Sequence, residues 1–205
     1  MKAFLKRKDI EFSLKRYGID ALGAMAQGLF CTLLVGTILK TIGEQFGVAF
    51  LIAPIGETGD SIATFATKMV GPAMAVAIGY AIHAPAMVLF SLIPVGFATN
   101  AIGGAGGPLA VYFIAVIASE FGKAVSKETK VDILVTPIVT ILVGVGLASL
   151  IAAPIGRAAM AVGDIVMWAT VQQPFIMGIV VSVIIGIALT LPISSAAICA
   201  SIGLT

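Results

Sequence analysis

The chain has 205 residues, of which 60% are hydrophobic and only 11% are charged, and its formal net charge is +2. The run 69–119 contains no Asp, Glu, Lys or Arg and is interrupted only by His83. Because roughly 20 apolar residues cross a bilayer core, this run must hold at least two crossings. The composition therefore excludes a soluble globular domain and argues against nucleic-acid binding, so we interpret the chain as an integral membrane protein.

The apolar segments lack the alternation of β-barrel strands, so we expect helices, the other structure that can span a bilayer. The sequence predicts an all-α integral membrane protein with about six transmembrane helices, some of them broken or re-entrant. In chain order the predicted spans are residues 21–39, 62–80, 82–99, 108–122, 133–153 and 174–191. We divide the chain into a basic juxtamembrane segment, a first membrane half and a second membrane half, at residues 1–20, 21–130 and 131–205.

Basic residues are concentrated in two places that lie on the same side of the predicted membrane. One group precedes the first span and the other fills the loop before the fifth span: Lys2, Lys6, Arg7, Lys8, Lys15 and Arg16, then Lys123, Lys127 and Lys130. Four predicted spans separate the groups and return the chain to the same side, which the positive-inside rule makes cytoplasmic. We therefore expect a cytoplasmic N-terminus held near anionic lipid.

A parallel internal repeat is also possible. Residues 32–36 (TLLVG) resemble 140–144 (TILVG), and 51–56 (LIAPIG) resemble 150–156 (LIAAPIG). Transporters are often built from repeats that hold the substrate where they meet. The second copy reaches Thr205 before any counterpart of the span at 108–122, so we expect the natural polypeptide to continue.

Glycine and proline are concentrated between the third and fourth spans, where four glycines and a proline fall within residues 103–108. Such a cluster opposes a stable helix. We expect Pro94 to open the helix and the backbone of Gly103 and Gly104 to face a ligand, with the Asn100 amide beside it. The alternative is an ordinary tight loop between spans.

A second break is predicted at Pro192, which removes a helical hydrogen bond. The hydroxyls of Thr190, Ser194 and Ser195 surround it, a pattern that suits a re-entrant hairpin lining a polar cavity. The alternative is a helix end at the interface, with Ser195 capping the next helix.

Two further polar side chains are candidate ligand contacts. His83 is a candidate because an ionisable residue within a membrane span is often functional; the alternative is a structural histidine bonded to a backbone carbonyl. Gln173 ends the segment 155–173, whose pattern predicts an interfacial amphipathic helix, and its amide either contacts a ligand or anchors the helix. We expect no metal, no cofactor and no catalytic residue, since the chain shows neither a metal-ligand cluster nor a nucleophile paired with a base.

Residues 94–107, followed by a span that ends in Glu120-Phe121-Gly122-Lys123, resemble the glycine-rich part of fructose-type phosphotransferase-system membrane components. The segment 132–144 is similar to their span with an early proline and a late Val-Gly. Residues 189–197 fall where fructose-type members carry an Asp-Met-Gly-Gly-Pro-x-Asn-Lys-Ala-Ala stretch. The chain is thereby identified as a member of the enzyme IIC-like family, in the PfoR-like group.

The resemblance implies a bacterial inner-membrane subunit that translocates a sugar or polyol by alternating access. It also implies a homodimer and a separate IIB-type phosphocarrier that phosphorylates the bound sugar. No phosphotransferase activity is expected without this phosphocarrier. The substrate contacts expected on this basis are His83, Asn100, Gly103, Gly104, Gln173, Thr190, Ser194 and Ser195. Leu189, Ser194 and Ser195 stand where fructose-type members carry charged residues, which leaves open a non-transporting membrane sensor that controls toxin or sugar-gene expression.

Overall fold

The computed structural model describes residues 2–170 and the isolated positions 178, 179, 182, 183 and 186. Every regular element within these residues is a helix, which confirms the predicted all-α class. Four helices are long and apolar enough to cross a membrane, and the number rises to five if a bent pair counts as one span. The predicted sixth span, 174–191, lies mostly outside the described residues.

A short helix, α1 (Lys2–Arg7), precedes the first membrane helix, which runs without interruption over Arg16–Gln45. The long helix contains α2 (Leu22–Leu29) and α3 (Val35–Gln45). One π-helical stretch precedes α2, and a second connects α2 to α3. At 1.5 Å per residue it is about 45 Å long, so its ends extend beyond a hydrocarbon core of about 30 Å. Arg16 therefore lies at the membrane interface, on the N-terminal side of the apolar segment 21–39 that was predicted to span the bilayer.

The second span is bent. After the short helix α4 (Ala49–Ile52), α5 (Ile62–Lys68) and α6 (Val70–Ala81) meet at an angle of 48°. Pro72 has no N–H to donate to the carbonyl of Lys68, and the loss of this helical hydrogen bond favours a bend here. The single span predicted at 62–80 is thus two helices in the structure.

The third and fourth spans are α7 (Ala86–Gly103) and α8 (Gly107–Val125). The break predicted at Pro94 is wrong, because α7 continues through this residue. A proline removes one helical hydrogen bond, and α7 stays intact because α6, α8 and α9 (Asp132–Leu147) pack around it. The chain turns at Gly104 instead.

The fifth span continues into the next helix without a loop. A π-helical stretch, Ala148–Ala152, connects α9 to α10 (Ala153–Thr170). The segment predicted as a separate interfacial helix, 155–173, therefore starts as an extension of this span, and Gln173 lies outside the described residues. Pro154 directly follows the π-helical stretch, where the α-helical hydrogen-bond pattern is already interrupted, so its missing N–H is accommodated there.

One pair of the repeat motifs differs in structure. In 51–56 the chain leaves the helix, with Ala53 extended before Pro54, as the residue before a proline prefers. In 150–156 the chain stays helical, since packing against the end of α7 holds it there. This pair therefore gives no support to an internal repeat.

The centre of the bundle is the crossing of α6, α7 and α8, where Met74, Ile78, Leu92 and Ile114 are fully buried. Gly71 of α6 and Gly96 of α7 lie against each other, and a Cβ on either would collide with the carbonyl of the other. Small residues of this kind let helix backbones approach closely in a membrane protein. This contact fixes the position of both ends of α7, to which the candidate residues belong.

Candidate functional site

The structure separates the predicted site residues into two places. His83 precedes α7, whereas Asn100, Gly103 and Gly104 lie at its other end. About 20 Å of helix separates Ala86 from Asn100, so one hexose cannot contact both ends. The structure therefore does not bring His83 and Asn100 together. Four predicted contacts and one predicted break lie outside the described residues: Gln173, Thr190, Ser194, Ser195 and Pro192.

The first place is the glycine turn, which we define as residues 103–107. Gly104 has φ +51° and an open space where a Cβ would be, so its backbone conformation selects glycine. Gly103 is buried and its carbonyl lies against Gly156 of α10. Only Gly104–Gly106 leave the α-helix, and they form a 3-10 turn that packs against α10, so the interruption is shorter than predicted.

Asn100 lies in the last turn of α7, half-buried. Its carbonyl accepts the N–H of Gly104, and its side chain fills the space beside Gly71 and Gly107. Within residues 2–170 the Asn100 side-chain amide forms no hydrogen bond in the structure. An amide carries both donors and acceptors, so this group can bind a hydroxyl.

The second place is the basic end, where the N-terminal segment 2–15 crosses the turn between α6 and α7 and the end of α8. Lys123 is its most buried member, with a side chain that is 1% exposed. The Lys123 ammonium donates to the carbonyls of Asp9, at 2.6 Å, and Ile82, at 3.0 Å, and lies 3.3 Å from a carboxylate oxygen of Glu120. A buried charge is tolerated when it is paired and hydrogen-bonded in this way.

Arg16 binds the same two carbonyls. It donates to that of Asp9 at 3.0 Å and to that of Ile82 at 2.9 Å, and it also binds both oxygens of the Asp9 carboxylate. These hydrogen bonds from Arg16 lower the pKa of Asp9, although burial opposes the effect. Two cations from different helices thus share two backbone acceptors, which ties the N-terminal segment to the turn between α6 and α7.

His83 lies at the edge of this cluster, in the turn between α6 and α7, with φ +59° and a side chain that is 75% exposed. Its predicted position within a membrane span is wrong. Its Nδ1 atom is 2.9 Å from the Arg16 guanidinium and 3.3 Å from the Asp9 carboxylate. Nδ1 thus lies between a guanidinium, which only donates, and a carboxylate, which only accepts, so its role depends on the ring tautomer.

Tyrosine hydroxyls complete the cluster on its inner side. Tyr17 donates to Glu120 at 2.9 Å, and Tyr112 donates to the backbone carbonyl of Tyr17 at 3.0 Å. Glu120 is therefore held between Tyr17 and Lys123. We define the charge cluster as Asp9, Arg16, Tyr17, His83, Glu120 and Lys123.

A pocket of about 340 Å³ opens beside the charge cluster. Lys8 donates to the carbonyl of Ser126 and lies 2.5 Å from Glu128, which also lies 2.5 Å from Arg7. The hydrogen bond from Lys8 and the neighbouring positive charges lower the pKa of Glu128. The N-terminal segment and the loop after α8 thus form the pocket walls together.

From the sequence, these basic residues predicted a cytoplasmic orientation and a contact with anionic lipid, but no hydrogen-bonded cluster. A signal was available: Glu120 and Lys123 are three residues apart at the end of the uncharged run, and a helix places such residues on one face. Their partners could not be found in this way, since Asp9 and Arg16 are far away along the chain.

The fold and the charges define a multi-pass α-helical membrane protein with a partly buried charge cluster at one end. The chain matches the family described as "Phosphotransferase system, EIIC" over residues 19–205. It therefore belongs to this family, which confirms the resemblance noted in the sequence. Searches of curated proteins and of solved structures found no match. Asp9 and Arg16 precede the matched region.

Proposed function

We propose that the protein is the sugar- or polyol-translocating subunit of a bacterial phosphotransferase system and works by alternating access with a separate IIB-type phosphocarrier. The observation that carries the proposal is the family match over residues 19–205. The phosphoryl group would come from the phosphocarrier, because a IIC-type subunit binds and moves the sugar. We further propose a homodimer in the inner membrane.

The basic end would face the cytoplasm. Its excess of lysine and arginine supports this orientation through the positive-inside rule. The phosphocarrier would approach the sugar from that side, and the glycine turn would belong to the outer half of the bundle.

The sugar would bind at the glycine turn. The Asn100 amide and the backbone of Gly103 and Gly104 would contact its hydroxyls, and the segment around Pro192 would supply further contacts from Gln173, Thr190, Ser194 and Ser195. The half-buried Asn100 amide supports this choice. Sites that hydrogen-bond substrate hydroxyls discriminate well, since a mismatched ligand leaves a buried polar group unpaired.

The test is uptake of labelled sugars and polyols into membrane vesicles that contain the full chain and a IIB-type partner. We expect Asn100→Ala to weaken binding of the transported sugar about fivefold, as the loss of a hydrogen bond worth about 1 kcal/mol requires. The control is Ser149→Ala, because Ser149 is exposed and its hydroxyl bonds only the carbonyl of Gly146 in the structure.

Uptake that depends on the protein, with reduced affinity in Asn100→Ala alone, would support both the function and the site. Uptake with unchanged affinity in Asn100→Ala would remove Asn100 from the site. Ligand binding without uptake, in vesicles where a known sugar permease is active, would contradict transport and favour the membrane sensor.

A further inference from the structure

The pocket at the basic end has walls from four parts of the chain: the N-terminal segment, the turn between α6 and α7, the end of α8 and the loop that follows. Its charged lining consists of Arg7, Lys8, Lys123 and Lys127 with Asp9 and Glu128. These are four cations and two carboxylates, so the pocket carries two positive charges that its own lining leaves uncompensated. Arg16 and Glu120 lie directly behind the pocket with opposite charges, but Asp132 accepts the backbone N–H of Lys127 at 2.7 Å and reduces the excess to one positive charge.

The carboxylates are already engaged. Glu128 is shared by Arg7 and Lys8, at 2.5 Å from each. The Asp9 carboxylate is bound by Arg16. The excess positive charge is therefore available to a ligand at the mouth of the pocket, where Arg7 and Lys127 are exposed.

A phosphate group fits these requirements. It carries a charge of about −1.5 to −2 at neutral pH and three acceptor oxygens, so it can accept from both walls of the pocket at once, whereas a carboxylate offers only two oxygens. The cationic side chains offer charge-assisted hydrogen bonds, and the exposed imidazole of His83 also lines the pocket. A volume of about 340 Å³ admits a small phosphate ester or a lipid headgroup.

We propose that this pocket is a binding site for the phosphate group of a phosphomonoester, supplied either by a small soluble ester or by the headgroup of an anionic lipid. The bound phosphate contacts Arg7 on the N-terminal segment and Lys127 on the loop after α8. It thereby joins the two walls of the pocket and holds the segment in place. The proposal is independent of sugar transport, since Arg7 and Lys8 precede the region that matches the family.

The experiment uses the full chain in a neutral detergent and in phosphatidylcholine vesicles. Inorganic phosphate and glycerol phosphate are the soluble probes, measured by calorimetry and by the thermal midpoint, against potassium chloride at equal ionic strength to remove simple screening. Phosphatidylcholine vesicles with and without phosphatidic acid supply the lipid probe. A ligand that binds the folded protein must raise its apparent stability.

The variant is Arg7→Gln with Lys127→Gln, and the matched control is Lys6→Gln with Lys130→Gln. Both change the net charge equally, on the same two segments, but Lys6 and Lys130 do not line the pocket. All four side chains belong to exposed residues, so folding is expected to survive. Lys127→Gln alone is a second variant for use if the double variant is unstable.

We expect the pocket variant to lose at least tenfold in phosphate affinity and the control to stay within twofold of the original protein. Binding of glycerol phosphate or of phosphatidic acid, lost in the pocket variant alone, supports the site and identifies the source. The proposal is overturned if no probe binds beyond the chloride control, or if both double variants lose affinity equally.

Discussion

The two ends of α7 are held in opposite ways. At the basic end, long charged side chains reach across the bundle, and Lys123 and Arg16 share the carbonyls of Asp9 and Ile82. At the glycine turn the helices meet because side chains are absent, and the carbonyl of Gly103 lies against Gly156. Charged contacts hold the first end, whereas close packing and backbone conformation hold the second. Different substitutions should therefore destabilise the two ends.

The largest effect is expected from Lys123→Met at the basic end. The substitution removes the ammonium and leaves Glu120, whose side chain is 12% exposed, without its cation. Breaking a buried pair by removing one partner typically costs about 3–5 kcal/mol. We expect a loss of this size in the free energy of unfolding, measured by denaturant titration in detergent.

The control for this prediction is Lys123→Met combined with Glu120→Gln. Removing both charges avoids the uncompensated carboxylate, so the double variant should recover most of the loss. Equal stability of Lys123→Met and the original protein would show that the charge cluster does not hold this end.

A smaller effect is expected from Gly104→Ala at the glycine turn. The added Cβ has open space, but the φ of +51° disfavours any side chain, and backbone strain of this kind costs about 1–3 kcal/mol. The thermal midpoint should fall accordingly. Gly146→Ala is the control, because Gly146 also has open space but lies within α9 and has no positive φ; an equal fall in both would refute the conformational argument.

The smallest effect is expected from acid and from Asp9→Asn, since the Asp9 side chain is half exposed and solvent screens its charge. The pKa of Asp9 is lowered by Arg16, so its contribution is complete above the ordinary value of 3.8 and is lost as the pH falls through the lower folded value. Proteolysis of the N-terminal segment should therefore increase only in this acidic range. Asp9→Asn should reduce the pH dependence but not remove it, because Glu128 binds Arg7 and Lys8 of the same segment and its pKa is also lowered. An unchanged response to acid in this variant would contradict the role of Asp9.

The spans could be predicted because hydropathy is a local property of each segment. The bend at Pro72 was missed because the apolar run continues through it, and the break assigned to Pro94 was wrong because neighbouring helices support α7 there. Packing of this kind depends on residues that are distant along the chain. The sequence shows the apolar segments but not which faces of them meet.

The charge cluster was harder to predict from the sequence than the spans and their packing. Lys123 and Asp9 are separated by 114 positions, and Arg16 and Ile82 by 66. Neither separation leaves a periodic pattern, so the sequence predicted orientation and lipid contact for the basic residues and an intramembrane position for His83, but not the contacts between them. The glycine turn was found because its composition is unusual, although only three residues of it leave the α-helix.

The most direct test of the charge cluster is the distance between the N-terminal segment and the loop after α8. Spin labels at positions 6 and 130, in a background where Cys31 and Cys199 are replaced by alanine, report this distance by double electron–electron resonance. We predict a narrow distribution in the original sequence and a broad one in Arg16→Gln, which lacks the charge that binds Asp9. A broad distribution in both proteins would contradict the account, because it would mean that the segment is not held against the bundle.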